Sequence, residues 1–203
     1  MEERKNTKDV IEQVALDLFS KKGYKAVSIR DICKGVGIKE SSIYYHFKNK
    51  QAIMDSLLEK IDLLIESMKT KFNSTFMQIS DVPEVAMCEV AVGLLTNYLL
   101  NPYVYQMIAV LTIERMSDDS ASKNYQRIVF ELPLQQQEQI FAQMILKGFV
   151  KENTPTVLAQ EYYAVVYFAF QKNCIGCELT NEKIKFASDE IRRNIADIYR
   201  KMR

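Results

Sequence analysis

Apolar residues recur at three- and four-residue intervals along most of the 203-residue chain, the spacing of helix faces. Val10, Ile11, Val14, Ala15, Leu18 and Phe19 share one face of a first helix, which Thr7 can cap and Gly23 can stop. Ser28, with Asp31 three residues on, is a capping-box-like start for a short second helix, with Ile29, Ile32 and Cys33 on its inner face. Gly35-Val36-Gly37 breaks that helix. Ile38 leads into a third, with Ile43 and Phe47 turned inward. From near Asn49 the positions Ile53, Leu57, Leu58, Ile61, Leu64, Ile65, Met68 and Phe72 keep helical period for about five turns. This stretch reads as a rod leading from a small head into a larger body.

The body reads as helical too. Asn73 to Pro83 is a break, with Asp81 and Pro83 as turn signals. Val85 to Leu100 is apolar and ends at Asn101-Pro102. Tyr103 to Met116 follows and ends in the polar loop Ser117-Asp118-Asp119-Ser120. Tyr125 to Leu146 predicts a long helix, kinked or broken by Pro133 and stopped by Gly148. Thr154-Pro155 opens a helix to about Lys172, and the last helix starts near Thr180-Asn181 and runs to the C-terminus.

Composition agrees with this pattern: 6 Gly and 4 Pro leave little material for β-turns. The expected fold class is all-α, with an N-terminal three-helix head, residues 1–48, and a C-terminal helical domain, residues 49–203. No apolar run approaches the length of a membrane span. The charged start Met1-Glu-Glu-Arg-Lys-Asn is followed by no apolar core, unlike a secretion signal. A cytoplasmic protein without a membrane partner is therefore expected.

Net charge is +1 but unevenly distributed. Residues 1–50 hold 11 Lys+Arg against 7 Asp+Glu, a net of +4, and the remainder carries −3. A basic end on an acidic body suits docking of that end onto an anion. Ordinary solvated charge accounts for the same asymmetry.

Candidate chemistry is mostly excluded. No nucleophile–base pair, phosphate loop or metal-ligand set occurs, so no catalytic residue, metal or cofactor is expected. His46 is the only histidine, suited to a phosphate contact or plain exposure. Cys33, Cys88, Cys174 and Cys177 make no disulfide framework. Cys174-Ile-Gly-Cys177 is a lone CxxC, lacking a second pair for zinc and a βαβ context for redox work. It reads as structural thiols at a helix end, with a thiol switch as the other reading.

A helix-turn-helix needs a short first helix, a tight turn with a small residue, and a second helix with an exposed polar face. Ser28 to Phe47 supplies all three. With Ile43 and Phe47 buried, Lys39, Ser41, Ser42, Tyr44, Tyr45 and His46 are left facing outward, and Glu40 is the one acid among them. Hydroxyls of this kind bond phosphates or base edges without blocking the major groove. Lys50 adds a positive charge at the start of the next helix, where backbone N–H groups already favour an anion.

The segment Val27-Ser-Ile-Arg-Asp-Ile-Cys-Lys-Gly-Val-Gly-Ile-Lys-Glu-Ser-Ser-Ile-Tyr-Tyr-His-Phe-Lys-Asn-Lys-Gln-Ala-Ile resembles the DNA-binding signature of TetR-family regulators. The preceding Ala15-Leu-Asp-Leu-Phe-Ser-Lys-Lys-Gly-Tyr fits that family's first helix, so the resemblance covers about residues 7–58. Cys33 stands where the family usually has alanine, and Ser28 where it often has threonine; both substitutes can do the same job. The resemblance implies that Ser28 and Arg30 meet the backbone or a groove edge. It puts Lys39, Glu40, Ser41 and Ser42 nearest the bases, gives phosphates to Tyr44, Tyr45, His46 and Lys50, and makes Gly37 the turn residue.

The larger domain carries many aromatics and methionines. Core packing explains most of them, yet tyrosines among methionines also suit an adaptable apolar pocket with polar handles. The resemblance implies a small-molecule pocket there, with Tyr98, Tyr105, Met107, Phe130, Phe141, Tyr163 and Tyr167 as candidate lining. Val157 to Phe170 is apolar nearly all round, and Ile184, Ala187, Ile191, Ile195, Ile198 and Met202 form a narrow seam on the last helix. That seam could cover the chain's own core, or the two helices could pair with their copies. The resemblance implies the second: a homodimer on a pseudo-palindromic duplex, most simply a repressor released by a small-molecule effector. An activator, a regulator answering to a protein partner, and an all-α carrier or enzyme are the alternative readings.

Overall fold

Every regular element among the described residues is helical. The computed structural model describes residues 6–76, 81–151 and 154–203, the side chains of 71–76 excepted. The chain forms two compact units. One is built from the residues up to Lys71 together with Pro102–Gln126; the other takes Phe72–Asn101 and Arg127–Arg203.

In the first unit, α1 (Thr7–Lys22) begins one residue earlier than its composition suggests. The cap is Asn6, whose side chain accepts the Lys8 N–H, while Thr7 is already helical. Gly23 ends the helix with its N–H on the Phe19 carbonyl. The short α2 (Ile29–Val36) opens with the full capping box: Ser28 Oγ accepts the Asp31 N–H at 3.1 Å, and the Asp31 carboxylate accepts the Ser28 N–H at 2.8 Å. Gly37 ends α2 at φ +81°, a left-handed conformation that other residues enter at a cost. At Gly35 the constraint is space, because a Cβ there would lie 2.6 Å from Val14 Cγ1 on α1.

The regular part of α3 (Glu40–Ile43) is shorter than expected. Tyr44, Tyr45 and His46 follow in a tighter turn, in which the Tyr45 and His46 N–H groups reach back three residues to Ser42 and Ile43. Ile43 and Phe47 are still both buried, so their spacing of four could not reveal the change. The long α4 (Lys50–Phe76) runs past the break expected at Asn73, and residues 77–80 of that stretch lie outside the described residues. The Phe72 side chain, expected on the rod's apolar face, lies outside them too.

Two further helices belong to this unit: α6 (Pro102–Glu114), which packs on α1, and α7 (Asp119–Gln126). Asp17 on α1 accepts hydrogen bonds from Gln106 and Gln13. The nearly buried Glu114 accepts the Lys25 N–H at 3.1 Å. Polar bonds also join α4 to α1. Glu12 is fully buried, accepts the Ser56 hydroxyl at 2.6 Å and pairs through its other oxygen with Lys60. Lys60 also bonds Asp9. Burial opposes the Lys60 charge, but the bonds to Glu12 and Asp9 outweigh it and hold its pKa above the usual lysine value.

In the second unit, α8 (Leu132–Leu146), α9 (Pro155–Cys174) and α10 (Asn181–Met202) pack in succession, and α10 also packs on α5 (Glu84–Gly93). Phe141 and Tyr162 meet edge to face at 5.5 Å in the core. Arg192 pairs with Glu89 and Arg200 with Glu84, fastening α10 to α5.

Two π-helical turns, which the apolar period did not predict, occur in this unit: Leu94–Leu99 after α5 and Arg127–Glu131 before α8. The expected long helix from Tyr125 is therefore α7 and α8 separated by a π turn, with Pro133 in the first turn of α8. Proline has no N–H to give to the carbonyl four residues back, Val129, or five back, Ile128. Two buried tyrosines donate there instead, Tyr163 to Val129 and Tyr98 to Ile128, the second at 2.7 Å.

Candidate nucleic-acid interface

The head holds its polar face by burying what lies behind it. Val27, Ile32, Cys33, Ile43 and Phe47 are each at least nine-tenths buried, together with Ile11, Ala15, Leu16 and Phe19 of α1. Burial at about 25 cal/mol per Å² makes a few such anchors enough to fix a four-residue helix that has little stability alone. Ser28, Arg30, Lys39, Glu40, Ser41, Tyr44, Tyr45 and His46 are all exposed, and Ser42 is half-buried. Tyr45 is 88% and Tyr44 56% exposed, unusual for rings that bury well elsewhere in the same chain.

Two features organise this face. Arg30 on α2 and Glu40 on α3 form an exposed ion pair at 3.7 Å, so the one acid of the face is matched by a cation from the preceding helix. The Ser28 hydroxyl and N–H bonds hold the Asp31 carboxyl below the usual carboxylate range, which keeps it ionised, and the capping box intact, to lower pH.

Lys50 is placed differently from the other nine expected DNA-binding residues. Its ammonium donates to the Tyr24 and Val27 carbonyls at 2.8 Å each and lies 4.2 Å from the Tyr24 ring centroid. Burial lowers its pKa from the ordinary lysine value, with the Glu114 charge opposing that shift. The lysine ties down the loop that carries Ser28, a role its position at a helix start did not suggest. The N-terminus of α4 is met by Asn49, which accepts the Ala52 N–H at 2.8 Å.

The seven expected pocket residues divide between the units. Tyr98, Phe130, Phe141, Tyr163 and Tyr167 belong to the second; half-buried Tyr105 and buried Met107 sit on α6 in the first. Tyr167 lies 4.9 Å from Phe130 and 6.0 Å from Tyr163 between ring centroids, so three of the seven form one aromatic cluster. Cys33, Cys88 and Cys174 are buried free thiols, Cys177 is exposed, and burial pushes the Cys174 pKa up to about 11. Burial of Cys174 and its raised pKa accord with the structural reading of the CxxC.

The sequence profile of bacterial regulatory proteins of the tetR family matches residues 11–57, the stretch that builds this face. The head belongs to the TetR family. This chain is 42% identical over 65 residues to the biofilm operon negative transcriptional regulator IcaR of Staphylococcus epidermidis, covering 30% of this chain and 35% of that protein. It is 48% identical over 48 residues to IcaR of Staphylococcus aureus, covering 24% and 26%. The matched region thus spans about a third or less of these relatives.

Solved structures extend the likeness of fold to nearly the whole chain. A protein of Mesorhizobium loti assigned to the TetR-family transcriptional regulators superposes with a TM-score of 0.74 at 14% identity, over 95% of this chain and 94% of that one. The fatty acid degradation regulator FadR of Bacillus halodurans gives 0.65 at 16% identity, over 96% and 97%. Among the described residues no helix is long and apolar enough to cross a membrane.

Proposed function

We propose that this chain is a homodimeric transcriptional repressor that grips a pseudo-palindromic operator and is released from it by a small molecule in the cytoplasm. The observation that carries the reading is the exposed Lys39–His46 surface, with two large aromatics left in water over a buried Ile43–Phe47 anchor, inside a TetR-family head. Residues 1–48 serve as the DNA-binding part and 49–203 as the ligand-binding and dimerisation part. Ser28, Arg30, Lys39, Glu40, Ser41, Ser42, Tyr44, Tyr45 and His46 make the contacts, and Lys50 holds the loop behind them.

Repression rests on the IcaR relatives, which are negative regulators. Ligand control is supported by a structural neighbour that is a flavonoid-responsive regulator. The aromatic cluster of Phe130, Tyr163 and Tyr167 is the proposed centre of the pocket. Pairing through α9 and α10 is supported by the apolar rings they leave exposed, Phe168 at 60% and Phe186 at 54%. The α10 seam itself is spent mostly within the chain, since Ala187, Ile191, Ile195 and Met202 are buried and only Ile184 and Ile198 are half-exposed.

The test is selection of duplexes from a random pool by the full chain, followed by footprinting and sedimentation. The expected result is a dimer on two half-sites about 34–36 Å apart, with affinity falling steeply as salt rises. Failure to retain any duplex at low salt, or protection of a single half-site by one chain, overturns the reading.

A further inference from the structure

The second unit gives way to the first at Asn101/Pro102, and the chain returns at Gln126/Arg127. Both π turns lie next to these crossings: Leu94–Leu99 ends three residues before Pro102, and Arg127–Glu131 begins with the first residue after Gln126. The two turns are joined to each other, because Tyr98 in the first donates its hydroxyl to Ile128 in the second. The second turn is also held from α9 by Tyr163. Between the crossings lies the arm α6–α7, which grips α1 through Gln106–Asp17 and the loop after it through Glu114–Lys25.

We propose that the paired π turns are a register switch for the α6–α7 arm, with Tyr98 and Tyr163 as the positioning residues that hold it in its present setting. A π turn stores one residue more than an α turn. Its conversion to α releases that residue and moves the adjoining helix by about 1.5 Å and about 100°. Pro133 offers no N–H to the Val129 or the Ile128 carbonyl, so neither the α nor the π bond closes there, and the two hydroxyls take the carbonyls it leaves. Any repacking of α9 that withdraws the Tyr163 hydroxyl removes half of that support and frees the arm to change register. Because the arm holds α1, the switch acts on the head, and this last link rests on the DNA-reading function proposed above.

The experiment compares Tyr98→Phe and Tyr163→Phe with Tyr199→Phe in the full chain. Tyr199 is the matched control: a buried tyrosine of the same unit, donating to the Val82 carbonyl outside both π turns. Backbone amide exchange is read first and needs no DNA. The expected result is exchange at least about tenfold faster for residues 94–114 and 119–134 in Tyr98→Phe and Tyr163→Phe, the scale of one lost buried hydrogen bond, and no change there in Tyr199→Phe. Arm exchange equal in all three variants, or altered only in proportion to a common loss of stability, overturns the proposal. Affinity for the duplex selected by the wild-type chain is read second. If the wild-type chain selects none, the DNA-reading function fails while the exchange result still decides the switch.

Discussion

The chain uses its tyrosines in two opposite ways. In the second unit Tyr98, Tyr162, Tyr163 and Tyr199 are buried, and each hydroxyl donates to a main-chain carbonyl: Ile128, Met87, Val129 and Val82. In the head Tyr44 and Tyr45 stand in water. A phenol inside a protein must find an acceptor, and these find main-chain carbonyls, two of them in a π turn. A phenol kept outside contributes little to folding and remains free for a partner. The contrast separates residues that build the molecule from residues that let it act.

The largest expected effect tests the first half of that contrast. Tyr162→Phe removes a fully buried hydroxyl's bond to the Met87 carbonyl and should cost about 1–1.5 kcal/mol of stability. Tyr45→Phe should change stability by no more than about 0.5 kcal/mol. Urea unfolding of both variants checks this, and equal losses would erase the distinction.

Next comes binding. Tyr44→Ala and Tyr45→Ala should each weaken duplex affinity by about tenfold, the scale of a lost hydrogen-bonded contact, with melting unchanged. Wild-type affinity in both would remove these rings from the interface.

Salt dependence sharpens the comparison within the head. Lys39→Met should lower the slope of log affinity against log salt by about one, as the loss of a phosphate contact does. Lys50→Met should lower affinity and leave the slope unchanged, since its ammonium is spent on Tyr24 and Val27. A reduced slope in Lys50→Met would return that lysine to the phosphates.

The smallest effects are pH-dependent and have opposite signs in the two regions. Burial raises the Tyr162 pKa well above 10, so its contribution is present below pH 10 and is lost as pH rises past that value. Tyr162→Phe should flatten the alkaline fall in stability. The Asp31 pKa is lowered, so the capping box contributes above the ordinary carboxylate range and is lost as pH falls through the lowered value. Asp31→Asn should flatten the acid limb in α2, read by amide exchange.

The same division governs what could be read from residues alone. Ser28–Asp31, Gly37, and the pair Ile43 and Phe47 act over three or four residues, so spacing exposed them. The docking of α6 on α1 depends on Gln106–Asp17 and Glu114–Lys25, polar pairs about 90 residues apart that leave no period. Pro133 announced a broken helix but not its form, because an apolar stripe reads the same through a π turn as through an α turn. The role of Lys50 was hidden for a related reason: its partners are main-chain carbonyls, which every residue has.

The thiols carry a practical consequence. With Cys33, Cys88 and Cys174 buried and Cys177 exposed, the natural chain is addressable by a maleimide probe at one position without any engineering. A two-fold dimer would carry two such labels related by its symmetry axis, and a single interlabel distance, followed during titration with duplex or effector, would report its geometry directly.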